Sequence, residues 1–118
     1  MQTLADATVA LVALLHLYFL VLEMFLWTRP SGLKTFGLTP EFAKATQALA
    51  ANQGLYNGFI AAGLVWGLVL GGAGTAIKIF FLACVVVAGV FGGFTASRKI
   101  LWVQAFPGII ALALVLFT

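Results

Sequence analysis

The sequence predicts an all-α fold, a four-helix transmembrane bundle with short loops. Composition is the first reason: 64% of the 118 residues are hydrophobic and only 8% are charged, whereas a soluble domain carries roughly 25% charged residues. The second reason is that the apolar residues form four long blocks, at residues 4–27, 47–70, 76–95 and 101–117. Each block approaches or exceeds the ~20 residues that a helix needs to cross a bilayer core. The polar–apolar alternation of a membrane β-barrel is absent. We therefore predict one four-span membrane domain, residues 1–118.

The first block is interpreted as a retained span and not as a cleaved signal peptide. A signal peptide begins with basic residues and has a short apolar stretch. Here the start of the chain carries only Asp6 as a charged residue, and the long apolar stretch contains His16 and Glu23. The single Cys84 lies in the third block, where we interpret it as a small packing residue, since no intrachain disulfide is available to it.

The connection between the first two blocks is the only one with room for structure. It contains the turn residues Pro30, Gly32 and Gly37. The sequence Thr39-Pro40-Glu41 then has the features of a helix start: an N-cap residue, a first-turn proline and an acid on the helix dipole. We expect the second helix to begin near Pro40.

The basic residues predict the orientation of the chain. Lys and Arg near span ends stay on the cytoplasmic side. The connection between the first and second blocks and the connection between the third and fourth blocks must lie on the same side of the membrane. Together they contain five of the six basic residues: Arg29, Lys34, Lys44, Arg98 and Lys99. Only Lys78 falls on the other side. Both termini are therefore predicted on the non-cytoplasmic side. The net charge of +3 is explained by basic residues that set the orientation and contact anionic lipid headgroups. No nucleic-acid partner is expected.

Small residues mark the expected contacts between helices. Lipid tails pack against large apolar side chains as well as another helix does, so helices in a membrane associate mainly where small residues let their backbones approach closely. The third span has Gly89 and Gly93 four residues apart, and the second has Gly54, Gly58 and Ala62 at the same step. These faces fit contacts within one bundle or between copies of the chain in a homo-oligomer.

Polar residues inside the spans are the candidate functional residues, because burying them in a membrane is costly. With the predicted orientation, most of them fall in the cytoplasmic half of their helices, and His16 lies near the midplane. The candidate ligand-binding residues are His16, Asn52, Gln53, Tyr56, Asn57 and Gln104. Glu23 is the only carboxyl within this layer and hence the candidate catalytic acid or base. We predict that Glu23 lies within hydrogen-bonding or one-water reach of at least one of the second-span polar residues.

Each of these residues also has a structural interpretation. Glu23 can serve as a hydrogen-bonded link between helices, His16 as a satisfied interhelical donor, and Gln104 as a helix-joining amide. In the fourth span Pro107 leaves a backbone carbonyl of the preceding turn without its usual donor.

Three segments carry a family resemblance: His16-Leu17-Tyr18-Phe19-Leu20-Val21-Leu22-Glu23-Met24, Asn52-Gln53-Gly54-Leu55-Tyr56-Asn57-Gly58 and Val103-Gln104-Ala105-Phe106-Pro107. They resemble the signature positions of the bacterial membrane proteins of domain-of-unknown-function family 1304. The resemblance covers essentially the whole chain and implies a four-span protein of the bacterial inner membrane. It implies no reaction, substrate or cofactor.

Three functions from different classes remain open. The first is a cytoplasm-facing polar pocket that binds or acts on a small, partly apolar molecule. This layout is similar to that of the glutathione-using membrane enzymes of eicosanoid metabolism, but those have Glu three residues after a second-helix Asn, where this chain has Leu55 after Asn52. The second is a structural or accessory membrane subunit. The third is a small proton-coupled exporter, similar to small multidrug-resistance transporters in having a first-span carboxyl.

Several kinds of site are not predicted. The sequence has no Ser/His/Asp triad, phosphate loop or nucleotide fingerprint. One His and one Cys are too few for a closed metal site, so no metal is predicted. An axial haem ligand at His16 within an oligomer, as in styrene oxide isomerases, is the remaining cofactor hypothesis, and the cofactor is otherwise unassigned.

Overall fold

The computed structural model describes residues 1–118, and every regular element in it is helical. Six α-helices follow one another along the chain: α1 Gln2–Met24, α2 Pro30–Phe36, α3 Pro40–Ala45, α4 Gln47–Val69, α5 Thr75–Thr95 and α6 Phe106–Leu116. A 3₁₀ turn, Gly71–Gly74, precedes α5, and a π-helical turn, Leu101–Ala105, precedes α6. The predicted all-α class is confirmed.

Two helical segments are long and apolar enough to cross a membrane, Gln2–Met24 and Gly71–Thr95. The segment Leu101–Leu116 is apolar but shorter. Helix α4 has the same 23-residue length as α1, but Asn52, Gln53 and Asn57 make its first half polar.

Local sequence signals explain most helix boundaries. Thr39 caps α3 by accepting a hydrogen bond from the backbone N–H of Phe42 at 3.2 Å, and Pro40 occupies the first turn, where its missing N–H costs nothing. The prediction of a helix start at Pro40 is confirmed, although Thr46 separates α3 from α4.

The connection after α1, predicted to have room for structure, contains the short helix α2. Pro30 begins this helix, and Gly37 ends it in the left-handed conformation with φ 64°. A β-carbon is disfavoured in that conformation, so glycine suits the position. Two of the turn residues noted in the sequence, Pro30 and Gly37, therefore mark the two ends of a helix.

The π-helical turn sits immediately before Pro107. Proline has no N–H to donate to the carbonyl four residues earlier, which breaks the regular α-helical ladder at that point. The backbone irregularity expected from Pro107 is therefore present.

The chain divides into two compact units, and each is described by itself. The first consists of Met1–Leu14 and Ile60–Thr118. Its core combines residues of α1, α4, α5 and α6, all at most 5% exposed: Ala5, Val9, Val12, Ala13, Leu64, Leu82, Val85, Ala111 and Val115. Four helices thus contribute to a single apolar core.

Glycines set the closest helix approach within this unit. A β-carbon at Gly89 would lie 2.6 Å from the backbone nitrogen of Ala105, and one at Gly93 would overlap the Leu101 side chain. Real β-carbons do not approach other atoms this closely. The predicted Gly89–Gly93 contact is confirmed, and its partner is the π-helical turn.

The second unit is Leu15–Phe59, which contains the end of α1, the helices α2 and α3, and the first half of α4. Here the indole Nε1 of Trp27 donates a hydrogen bond to the Thr46 hydroxyl at 3.1 Å, and the Trp27 ring lies 4.9 Å from that of Phe36. These contacts join the end of α1 to α2 and to the start of α4.

Candidate functional site

Glu23 lies in the last turn of α1, and its side chain is almost completely enclosed, with 5% of the residue exposed. The side-chain amide of Asn57 on α4 donates a hydrogen bond to the carboxyl oxygen Oε1 at 2.5 Å. The side chain of Gln53, one turn earlier on α4, lies near the same carboxyl. The prediction that Glu23 is within reach of a second-span polar residue is confirmed.

Gly54 lets the two helices approach closely enough for this contact. A β-carbon at that position would lie 2.7 Å from Cγ of Met24, 3.1 Å from Cβ of Glu23 and 3.3 Å from the carbonyl oxygen of Leu20. One turn later, a β-carbon at Gly58 would meet only the Leu20 side chain, at 2.8 Å. The glycines that were predicted to mark a helix contact therefore lie directly against α1.

The polar residues of α4 divide into two sets according to the face they occupy. Gln53 and Asn57 are four residues apart, so they share the edge of the helix that reaches Glu23. Asn52 and Tyr56 are also four residues apart, and both are exposed, Tyr56 to 61%. Gln53 is exposed as well, whereas Asn57 is half-buried. The structure therefore places Asn57 against the carboxyl with Gln53 at its exposed edge, and leaves Asn52 and Tyr56 on the surface.

His16 is one of the most enclosed side chains in the protein, with 1% of the residue exposed. Its ring packs edge-on against Phe19 with 5.4 Å between ring centroids. No buried side-chain nitrogen or oxygen in the structure lacks a hydrogen-bond partner. His16 therefore has the surroundings of a packed, satisfied histidine.

Gln104 is half-buried in the π-helical turn of the other compact unit. That Gln104 shares a ligand site with the α4 amides stays a prediction. An apolar groove also lies in that unit. Residues of α5 line it, and none of them is a predicted site residue: Val86, Val87, Val90, Phe91, Phe94 and Thr95.

A buried ion pair was missed by the sequence analysis. Lys78 of α5 is 2% exposed, and its ammonium lies 3.3 Å from Oδ1 of Asp6 on α1, whose side chain is 44% exposed. The same oxygen accepts a hydrogen bond from the Gln2 amide at 3.0 Å. By its place in the sequence alone, Lys78 is a basic residue of an outer turn. Its position within the third apolar block was the signal that it needed a partner.

These residues define what the site can do chemically. Glu23 can hold or release a proton, and Asn57 and Gln53 fix the direction of its carboxyl. No group of three or more His, Cys, Asp and Glu side chains is arranged to hold a metal ion. The Glu23 side chain itself offers proton transfer and hydrogen bonding.

Comparison with known proteins places the chain in a family. The family model described as "Protein of unknown function (DUF1304)" matches residues 10–116. The chain belongs to this DUF1304 family. It is similar to the uncharacterised protein YpaA of Lactococcus lactis subsp. lactis (strain IL1403), with 31% identity over 104 residues that cover 86% of this chain and 87% of the relative. No solved structure matches the chain. The resemblance expected from the three sequence segments is confirmed.

Proposed function

We propose that this DUF1304 protein is a four-span protein of the bacterial inner membrane, with a cytoplasm-facing polar site at Glu23 that binds a small, partly apolar molecule. The observation that carries the proposal is the enclosed Glu23 carboxyl, held by Asn57 and Gln53. Ionisable groups inside membrane spans are costly and usually functional.

The charge distribution supports the orientation. Arg29, Lys34, Lys44, Arg98 and Lys99 belong to the two connections assigned to the cytoplasm. Lys78, the single exception, is buried and paired with Asp6. Five basic residues against one favour termini on the non-cytoplasmic side.

The surroundings of Glu23 support a ligand of mixed polarity. The carboxyl and two amides offer hydrogen-bond donors and acceptors, while Leu20 and Met24 supply apolar groups at the same contact between α1 and α4. A molecule with one hydroxyl or carbonyl and an apolar body would match both. If the ligand reacts, Glu23 is the group that would take or give the proton.

A structural role is the second candidate, and the same contacts favour it. The Asn57–Glu23 hydrogen bond and the Gly54 contact join α1 to α4, and interhelical hydrogen bonds of this kind hold membrane helices together. In this alternative the chain is an accessory membrane subunit.

The substitution Glu23→Gln separates the two candidates, because glutamine keeps the size and an acceptor oxygen for Asn57 but cannot ionise. Under the binding proposal, thermal stability of the purified protein in nanodiscs rises when a component of a lipid-extract or metabolite library binds, and Glu23→Gln abolishes that rise. Glu41→Gln is the matched control, because Glu41 lies exposed in the first turn of α3.

Under the structural alternative, no library component stabilises the wild type more than Glu23→Gln. Glu23→Ala then lowers stability by about 1–3 kcal/mol, because it leaves the α4 amides without their partner, while Glu23→Gln stays close to wild type.

A further inference from the structure

The fold buries one acidic residue and one basic residue, Glu23 at 5% and Lys78 at 2% exposed. Lys78 has an opposite charge beside it, since its ammonium lies 3.3 Å from a carboxyl oxygen of Asp6. At the Glu23 carboxyl the hydrogen-bond donor is instead a neutral amide, that of Asn57. No lysine or arginine pairs with Glu23. Glu23 is therefore a buried acid without a counter-charge from the protein.

The helices around Glu23 offer no positive charge that could reach it. Helix α4 contains no Asp, Glu, Lys, Arg or His along its whole length. The basic residues of the same compact unit all lie exposed, in or next to α2 and α3: Arg29, Lys34 and Lys44. Taking a carboxylate out of water is costly unless an opposite charge and hydrogen bonds replace the water. The protein supplies the hydrogen bond but not the charge.

We propose that the ligand supplies this charge: the Glu23 site binds a small apolar amine in its ammonium form, which pairs with the Glu23 carboxylate. The inference rests on the function proposed above and deepens it by naming the ligand class. A hydroxyl or carbonyl compound can satisfy hydrogen bonds at the site, but only a cation also compensates the charge. Hydrogen bonds between two charged groups are roughly twice as strong as those between neutral ones. An anion would add a second negative charge beside Glu23.

The groups at the site suit an ammonium. Asn57 donates to one carboxyl oxygen, Oε1, and the two oxygens together accept about four hydrogen bonds, so acceptor positions remain for the ligand. An ammonium has only donors. Gln53 lies near the same carboxyl and is exposed, so its side-chain oxygen can accept a further N–H at the open edge of the site. Leu20 and Met24, at the contact between α1 and α4, supply apolar surface for the body of the ligand.

Binding of the ammonium is coupled to loss of a proton from Glu23. Before the ligand binds, a proton on the carboxyl removes the uncompensated charge. When the ammonium binds, the O–H bond of the carboxyl breaks, the proton passes to solvent, and the carboxylate pairs with the ammonium. One positive charge thus replaces another. Proton and ligand compete for the same carboxyl, so binding weakens as the pH falls.

Matched compounds test the ligand class. Phenylethyl, phenylbutyl and phenylhexyl bodies, each with an amine, an alcohol or a carboxylate head, are titrated by calorimetry into the protein in phosphatidylcholine nanodiscs. Nanodiscs without the protein are the blank. The heads differ in charge on one apolar body, and the bodies cover a range of lengths. The proteins are the wild type, Glu23→Gln and the control Glu41→Gln, in which the substituted acid is exposed in the first turn of α3.

In the wild type and in Glu41→Gln, we expect at least one amine to bind about tenfold or more tightly than the alcohol of the same length, the usual gain from a charge-assisted hydrogen bond. The carboxylates should not bind above the blank. Glu23→Gln should lose the preference for amines. The comparison of amine with alcohol in the wild type needs no variant, so it decides the ligand class even if Glu23→Gln does not fold.

Proton release gives a second measurement. Calorimetry in buffers of different ionisation enthalpy should show up to one proton released for each amine bound, and the affinity should fall by up to about tenfold for each unit by which the pH is lowered. Glu23→Gln should show neither effect. It keeps the other titratable groups of the unit, so the difference reports Glu23 itself; these groups are His16, Tyr18, Arg29, Lys34, Glu41, Lys44 and Tyr56.

Two results would overturn the ligand class. Alcohols that bind as tightly as amines, and that lose binding in Glu23→Gln, would make Glu23 a ligand site for neutral molecules. Amines that bind the wild type no more tightly than Glu23→Gln, or that bind neither, would show that Glu23 does not recognise positive charge. The function proposed above is decided separately by the library screen, because a neutral component that stabilises the wild type but not Glu23→Gln supports it whatever the amines do.

Discussion

Removing Asp6 and removing Lys78 should have unequal effects on the stability of the protein, although the two residues form one ion pair. Asp6→Asn keeps the shape of the side chain and an oxygen for the ammonium, but removes the negative charge. Lys78 is then an uncompensated charge in a site that is 2% exposed. Breaking a fully buried pair in this way costs roughly 3–5 kcal/mol. Because the Asp6 side chain is 44% exposed, water already screens part of the interaction. We therefore expect a loss of about 2 kcal/mol in the free energy of unfolding.

Lys78→Met should be much milder. The lysine stem packs beside Gly67, where an added β-carbon would lie 2.6 Å from its Cγ, and methionine retains that stem. Asp6 is left partly in water, so we expect a loss below about 1 kcal/mol. In the double variant there is no buried charge, and its stability should match Lys78→Met.

The assay is reversible denaturation, in one detergent, of the wild type, Asp6→Asn, Lys78→Met and the double variant. Glu41→Gln is the control for removing an exposed acid. We expect Asp6→Asn alone to be less stable than the double variant. If Asp6→Asn were as stable as wild type, or if the effects of the two substitutions simply added, the pair would carry no coupling energy.

Three further predictions concern packing and topology. Gly54→Ala should lower the free energy of unfolding by about 1–3 kcal/mol in the same assay, because its β-carbon meets Cβ of Glu23 and the backbone oxygen of Leu20. Gly58→Ala should cost less, because its β-carbon meets only the end of the flexible Leu20 side chain. Equal losses for the two variants would contradict this reasoning. Trp27→Phe should cost about 1 kcal/mol by removing the hydrogen bond to Thr46, and Thr46→Val should cost less in that background than in the wild type. A C-terminal alkaline phosphatase fusion should be active and a fluorescent-protein fusion dark; the reverse would invert the proposed orientation.

Much of the fold could be predicted because its signals are local. Apolar block length gave the positions of the long helices, and Thr39-Pro40 located the start of α3 through capping and proline geometry alone. The same local rules misjudged the α1–α4 connection. Pro30 and Gly37 suit either a loop or the two ends of a short helix, and packing decides between them. In the structure α2 lies against the end of α1, where Gly32 is in contact with the Leu26 carbonyl and Trp27.

The sequence by itself determined that Glu23 needs a polar partner and that such partners lie in the run from Asn52 to Asn57. Helical periodicity also divides that run into two pairs, Asn52 with Tyr56 and Gln53 with Asn57. Periodicity shows which residues share a face of one helix, but not which face meets a neighbouring helix. The rotation of α4 against α1 decided which pair meets the carboxyl. That rotation follows from Gly54, where the absence of a side chain permits contact with Met24 and Glu23. Likewise, the burial of Lys78 was foreseeable, but its pairing with Asp6, 72 residues away in sequence, depends on how α1 and α5 pack, which only the tertiary structure decided.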